Sequence, residues 1–437
     1  MGILFEKATI ATGVGGTILR NAHLLVEDGV ITSVGEGIWT QGMGEKTGTH
    51  ERIDATGMML LPAFFNAHTH VPMTLLRNYA DDMDLQEWLF TRIFPVEDRL
   101  DGDDVFWSTQ LGLMEMLAGG TAAFTDMYYF CERTAQAVLD SGMKILMTRG
   151  LTHDDSSDDF TNDVRIADSR ELFKNWHGAG NGRILTGVGP HAIYTCSPAY
   201  LEKVGDLAME LGVRVHVHID ETRREHEESL RKYGRTPVAH CDALGLFRAP
   251  TVAAHCVHIT EADMEILAEK KVSIAHNPRS NLKLASGIAP VPAARKAGIR
   301  VALGTDGASS NNALDMWSEM NLAALLHKGA SLDPLAVTAA EALEMATRSG
   351  AEAMGFDRSG VLSVGMKADL QMADMSAAHW QPLHNPLSAL VYSGRSADVR
   401  LTMVDGRILY RNGEFLTIDA EKVRAGMAQT FSKVFGH

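Results

Sequence analysis

The sequence predicts an α/β protein, a (β/α)8 barrel of the TIM type beside a small β-sandwich domain built from both chain termini. Three observations lead there. Short apolar runs alternate with amphipathic segments from residue 61 to about residue 328, as βα units require. Both chain ends instead carry strand-like runs broken by Gly, the mark of a separate β-rich part. No G-x-G-x-x-G follows the first apolar run and no G-x-x-x-x-G-K-[ST] occurs anywhere, which removes support from an open nucleotide-binding sheet.

Residues 1–60 read as the N-terminal part of the small domain, with strands over Ala22–Glu27 and Val30–Val34. The barrel, residues 61–362, opens with Leu61–Asn66. It continues through Thr121–Met127, Lys144–Arg149, Ile184–Gly189, Val213–His218, Thr251–His255, Val272–His276 and Val301–Thr305. Eight runs favour closure into a barrel, whereas six or seven would favour an open sheet. Helical patterns lie between them at Asp103–Leu117, Pro198–Leu211 and Glu261–Glu269, the second with Ser197 as its N-cap. The run Asp154–Asp159 (DDSSDD) suits a solvated loop after the third strand. Residues 363–437 return to strands at Ala368–Met372, Val399–Val404 and Arg407–Tyr410 and close with a terminal helix. Chain termini often lie close together, so the two β-rich ends are expected to pair.

With 437 residues, 45% hydrophobic and 22% charged, the chain has material for one large core and a satellite. Its 40 Lys and Arg against 55 Asp and Glu give a net charge of −15. Such a surface has no field of cations for phosphate backbones or anionic headgroups, so neither nucleic acid nor membrane is an expected partner. The charge-free stretch Gly57–Leu76, near the length a membrane span needs, contains Pro62, Asn66, His68, His70 and Pro72, which disqualifies it as a transmembrane helix. Four cysteines without C-x-x-C spacing and no signal-peptide pattern point to the reducing cytoplasm.

The chemistry starts at His68-Thr69-His70. Residues two apart in a strand share a face, so both imidazoles point the same way. Alone this is a weak metal signal. It gains strength because His218 (with Glu221 just beyond), His255 and Asp306 also fall at the C-terminal ends of expected strands, the rim where barrel enzymes hold their active sites. His68, His70, His218 and Asp306 would offer three nitrogens and a carboxylate to one divalent ion. Zinc suits that mixed set best, with iron, manganese and cobalt also compatible. The plainer alternative is a set of packed core histidines. His216, His240, His258 and His276 need no function, but a carboxylate and imidazoles meeting without a cation would be poorly paired.

The segments LLPAFFNAHTH, HVHIDET, AAHCVHI, HNPRSNLKLASGIAPV and LGTDGASSNN together resemble the amidohydrolase superfamily. Within it they are similar to the 5′-methylthioadenosine/S-adenosylhomocysteine deaminases and their triazine-hydrolase relatives. Ala63, where relatives usually have Gly, and Asp220, where a small residue is common, depart from the pattern without removing a ligand. The resemblance implies that His68, His70, His218 and Asp306 bind the metal, that Glu221 shuttles protons and that His255 orients or polarises the attacking water. Asp306 would also accept that water's proton. A bound divalent metal lowers the pKa of water towards ~7, and the residues around it move the protons. No lysine ends strand three or four to bridge a second metal, so one ion per subunit is expected.

The resemblance also marks the substrate contacts: Glu97 for the ribose hydroxyls, His191 for the purine edge, and Arg149 and Arg165 for the carboxylate of S-adenosylhomocysteine. Glu97 would equally suit a solvated surface and Arg149 a structural ion pair. Trp88 either walls the pocket or simply packs. The acidic run after strand three weakens attraction for an anionic tail, which would favour methylthioadenosine or adenosine. The expected activity is hydrolytic deamination of an adenine nucleoside by a homo-oligomeric enzyme. Deamination or dechlorination of another N-heterocycle (a triazine, guanine or a pterin) is the alternative, and a non-catalytic binding barrel the remote one.

Overall fold

A computed structural model of the chain describes residues 2–40, 50–153, 160 and 162–436; the acidic run 154–159 lies outside them. Eight parallel strands form one sheet, at Phe64–Thr69, Thr121–Tyr128, Lys144–Leu151, Ile184–Pro190, Arg214–Ile219, Thr251–His255, Ser273–His276 and Arg300–Leu303, each next to its neighbour in sequence. Most of their residues are buried, which is why they read as unbroken apolar runs. The Asp306 amide, just beyond the last strand, donates to the His68 carbonyl in the first at 2.9 Å. That bond brings the two ends of the sheet together in a near-closed (β/α)8 barrel.

Helices between the strands begin where local chemistry dictates. Ser197 accepts from the Tyr200 amide ahead of Pro198–Leu211, and Thr260 forms a capping box with Asp263 ahead of Glu261–Glu269. The first barrel strand differs from the expected Leu61–Asn66. Met58–Pro62 belongs to a different sheet, and the barrel strand starts only at Phe64. Ala63 is the switch: its amide donates to the Asp369 carbonyl, whereas the next amide, of Phe64, donates to Gly120. Both segments are buried and apolar, so hydropathy gives no sign of the change.

The chain ends build a separate mixed sheet of nine strands. Its N-terminal strands are Gly2–Ala11, Ile18–Glu27, Val30–Glu36, His50–Asp54 and Met58–Pro62; its C-terminal strands are Leu370–Asp374, Val399–Val404, Arg407–Arg411 and Glu414–Phe415. The link between the ends is Met58–Pro62 antiparallel to Leu370–Asp374. Phe5, Leu24 and Leu60 from one end share a buried cluster with Leu370, Leu401 and Met403 from the other, so neither end has a core alone.

By compactness the chain divides into two units, one of Met1–Asn66, Met114–Ala123 and Asp315–Ile418, the other of Ala67–Leu113, Phe124–Leu314 and Asp419–His437. The mixed sheet lies in the first. The second holds every candidate site residue and the terminal helix Ala420–Phe435, whose Lys433 meets Asp101 and Asp104 at 2.5 and 2.7 Å. No helix among the described residues is long and apolar enough to cross a membrane.

Gly304, just past the last barrel strand, sits where a side chain has no room. A Cβ there would stand 2.4 Å from Asn277 Oδ1 and 2.9 Å from the His68 amide nitrogen. Gly304→Ala is therefore expected to destabilise the protein by about 1–3 kcal/mol, read as a lowered midpoint in denaturant unfolding.

Candidate active site

Three histidines and a carboxylate from strands one, five and eight converge at the C-terminal mouth of the barrel. His68 Nε2 and His70 Nε2 lie 3.3 and 3.4 Å from Asp306 Oδ1, and His70 Nε2 is 3.1 Å from His218 Nε2. A tetrahedral shell with bonds of about 2.0–2.1 Å places its ligand atoms about 3.3–3.4 Å apart. The two separations from Asp306 match that edge, and the 3.1 Å between the two Nε2 atoms is slightly shorter.

The outer hydrogen bonds decide where the protons sit. His70 Nδ1 is 2.7 Å from the Met127 carbonyl and His218 Nδ1 is 2.7 Å from the His191 carbonyl; carbonyls only accept, so both Nδ1 atoms carry the hydrogen. His68 reaches the same state through a relay. Thr148 Oγ1 donates to the Asp126 carbonyl at 2.8 Å, so it accepts from His216 Nδ1 at 3.3 Å. His216 Nε2 is then bare and accepts from His68 Nδ1 at 2.7 Å. The His68 and His70 Nε2 lone pairs thus face one carboxylate, with the His218 Nε2 beside that of His70 and no proton between them, and His68 Nε2, buried, has no hydrogen-bond partner. Burial also pushes His68 down to about 4 and His218 well below the usual histidine value, which keeps both rings neutral. Bare nitrogens aimed at one point, each oriented by an outer acceptor, are the donor set a divalent cation needs. His68, His70 and Asp306 form one group that could hold a metal ion, and His68, His218 and His255 another.

Asp306 is fixed by Ser280 Oγ at 2.6 Å and by the Gly307 amide at 2.7 Å. Both bonds donate to the carboxylate and favour its ionised form. The backbone at Asp306 and His255 is left-handed, with φ of 61° and 73°. Such residues cost of order 1–3 kcal/mol each and concentrate at functional sites.

His255 Nε2 stands 3.7 Å from Glu221 Oε2 while its Nδ1 donates to Asn281 Oδ1 at 2.7 Å. Burial lowers His255, but the Glu221 and Asp306 carboxylates outweigh it and the ring ends above its ordinary value. Burial raises Glu221, whose Oε1 accepts from Ser286 Oγ at 3.2 Å. Glu225 anchors this turn by accepting from the Asp220 and Glu221 amides.

Glu221, His255, Asp306, His70, His218, His191 and Glu97 all line one cavity, walled by Leu85, Trp88, Leu89 and Phe94. Trp88 is therefore a pocket wall. Glu97 is only 7% exposed and not a surface acid; burial pushes it up to about 7. The two arginines stand elsewhere. Arg149 pairs with Asp168 at 3.0 Å and borders a neighbouring chamber. Arg165 is tied to Asp163 and to the Thr152 carbonyl and does not line this cavity.

Four residues had no assigned role in the sequence reading: His216, Asn281, Ser280 and Ser286. A second H-x-H and the HNPRSNLKLAS run were their only traces. Their parts depend on contacts between strands and loops distant in sequence.

A profile of the amidohydrolase family matches residues 59–409. The chain belongs to the amidohydrolase family. This amidohydrolase is 45% identical over 407 residues to the 5-methylthioadenosine/S-adenosylhomocysteine deaminase of Thermoanaerobacter pseudethanolicus, covering 93% of each chain. Among solved structures it is similar to an adenosine deaminase from Xanthomonas campestris with bound zinc, at 35% identity and a TM-score of 0.92 over 100% and 99% of the two chains. It is also similar to a zinc-complexed atrazine chlorohydrolase from Arthrobacter aurescens, at 25% identity and a TM-score of 0.89 over 98% and 100%.

Two outcomes are expected of this amidohydrolase. Replacing His216 by Asn removes the acceptor that orients His68, and the affinity for a divalent metal, measured by chelator competition, should fall about 10- to 100-fold. Glu97 keeps its proton in the folded state up to about 7, whereas unfolded it releases it near 4.5. The stability it contributes is therefore complete below 4.5 and lost as pH rises through about 7. Unfolding midpoints of Glu97→Gln should lack that fall.

Proposed function

We propose that the chain catalyses hydrolytic deamination of adenine nucleosides (5′-methylthioadenosine, S-adenosylhomocysteine and adenosine), releasing ammonia and leaving the inosine analogue. This makes it a hydrolase of C–N bonds in cyclic amidines. The observation that carries the reading is Glu221, buried and pushed towards its protonated form, beside His255 at the edge of the bare Nε2 set. The deaminase activity named for the Thermoanaerobacter pseudethanolicus relative, which it matches over nearly its whole length, agrees.

His68, His70, His218 and Asp306 would hold one divalent ion, zinc by donor type. When bound, the ion supplies Lewis acidity that makes water nucleophilic near neutral pH. The chain's own residues do the rest. Asp306, kept ionised, accepts the proton of the attacking water at a carboxylate oxygen. Glu221, held by Ser286, carries a proton at Oε and gives it to the ring nitrogen as the C6–O bond forms. It then takes up the proton of the C6 hydroxyl and passes it to the exocyclic amine as the C6–N bond breaks and ammonia leaves, and the proton held by Asp306 restores Glu221. His255, fixed by Asn281, keeps its Nε2 facing Glu221 and orients the water. Glu97 accepts the ribose hydroxyls, His191 meets the purine edge, and Trp88, Leu89 and Phe94 exclude bulk solvent from the base. Arg149 and Arg165 reach a carboxylate tail only by leaving their present partners.

A second reading, hydrolysis at another N-heterocycle such as a triazine, rests on the atrazine chlorohydrolase likeness. Glu97 separates the two, because a bare heterocycle has no ribose. On the nucleoside reading Glu97→Ala raises KM for methylthioadenosine; an unchanged kcat/KM would favour the second.

Glu221→Gln should lower kcat by about 10²- to 10⁴-fold in an ammonia-release assay while zinc content by elemental analysis stays the same. A Gln variant at wild-type rate would remove Glu221 from the proton path. Chelation should abolish turnover and lower the melting midpoint, with both restored by added zinc.

A further inference from the structure

Two straps cross the turn that carries Glu221. Glu225, itself buried, accepts from the Asp220 amide at 3.0 Å and from the Glu221 amide at 2.9 Å, so one carboxylate holds two consecutive amides. The second strap joins side chains. His226 Nδ1, on the helix Arg223–Tyr233, lies 2.9 and 3.0 Å from the two carboxyl oxygens of Asp220, the residue immediately before Glu221. Asp220 is fully buried, and among the described residues no other side chain bonds its carboxyl. Its carbonyl accepts from the Val257 and His258 amides at 3.0 and 3.1 Å, and its backbone is left-handed, with φ of 54°. His226 keeps 16% of its side chain exposed, so the pair runs from the surface to the turn. Neither residue lines the cavity over the histidines.

We propose that His226 is a positioning residue for the deamination: through the Asp220 carboxyl it holds the turn that aims Glu221 at the ring nitrogen. The inference rests on the nucleoside reading above. A carboxyl buried beside the Glu225 carboxylate is costly unless a donor meets it, and His226 is that donor. Without it the turn opens to hydrate Asp220, and Glu221, the next residue, moves with it. A misplacement of about 1 Å can cost about 100-fold in rate. His218, two residues earlier, lies within the strand Arg214–Ile219 and is held separately by the His191 carbonyl, so the metal ligands stay in place.

The test uses the zinc-loaded full chain and ammonia release from methylthioadenosine, S-adenosylhomocysteine and adenosine, with variants compared on whichever the wild type turns over fastest. His226→Phe keeps the ring without the donor; His226→Asn keeps a donor near the Nδ1 position without the ring. The Phe variant should lose about 10- to 100-fold in kcat, with KM within about threefold and zinc content unchanged, while the Asn variant stays within about threefold of wild type. A Phe variant no slower than the Asn variant would overturn the inference. In a Glu221→Gln background His226→Phe should lower kcat by less than about twofold more, because the group it aims is already gone. Equal losses in the two backgrounds would mean a role independent of Glu221 and would overturn this inference alone. Asp220→Gly removes the pair from its other end at a φ that glycine adopts freely. It serves if His226→Phe does not fold, and should show the same loss and the same dependence on Glu221. Wild type inactive on all three nucleosides would overturn the nucleoside reading and this inference with it.

Discussion

The site depends on where three protons are not. His68, His70 and His218 each direct their single N–H outward, to His216, Met127 and His191. Three lone pairs and the Asp306 carboxylate are left crowded at one point, an arrangement that repels itself unless a cation is present. The neighbouring features support this crowding. Ser280 and the Gly307 amide hold Asp306 in place, the left-handed turn at Asp306 aims it, and the absent side chain at Gly304 lets the last strand approach His68. A polar cluster so costly to assemble is sustained by a barrel whose strands are otherwise buried and apolar.

Much of this was legible in the sequence because barrels turn order into position. Residues at the C-terminal ends of the barrel strands must share one rim, so His68, His218, His255 and Asp306 could be grouped without knowing a distance. Helix limits were equally readable where a cap was explicit, as at Ser197. The start of the first barrel strand was not. From Met58 to Thr69 the chain is buried and mostly apolar, and a handover between two sheets at Ala63 leaves no trace in hydropathy.

The remaining gaps share a cause. His216 looked like any second histidine of an H-x-H pair; its value lies in Thr148, on a different strand, whose hydroxyl is already committed to Asp126. Arg149 stood at the right strand end for a ligand carboxylate, yet Asp168 from the following helix holds it. Motif reading supplies residue types and places. It does not say which partner reaches a side chain first.

The bond from the Asp306 amide to the His68 carbonyl has a consequence for how the barrel holds its shape. It lies on the seam where the last strand meets the first, the one junction that no short connection enforces. The same two residues also contribute donor atoms to the cluster at the mouth. An ion shared by His68 and Asp306 would therefore act as a clasp, cross-linking segments from opposite ends of the barrel sequence much as a disulfide closes a long loop. The rigidity of the fold and the occupancy of its site would then be one property.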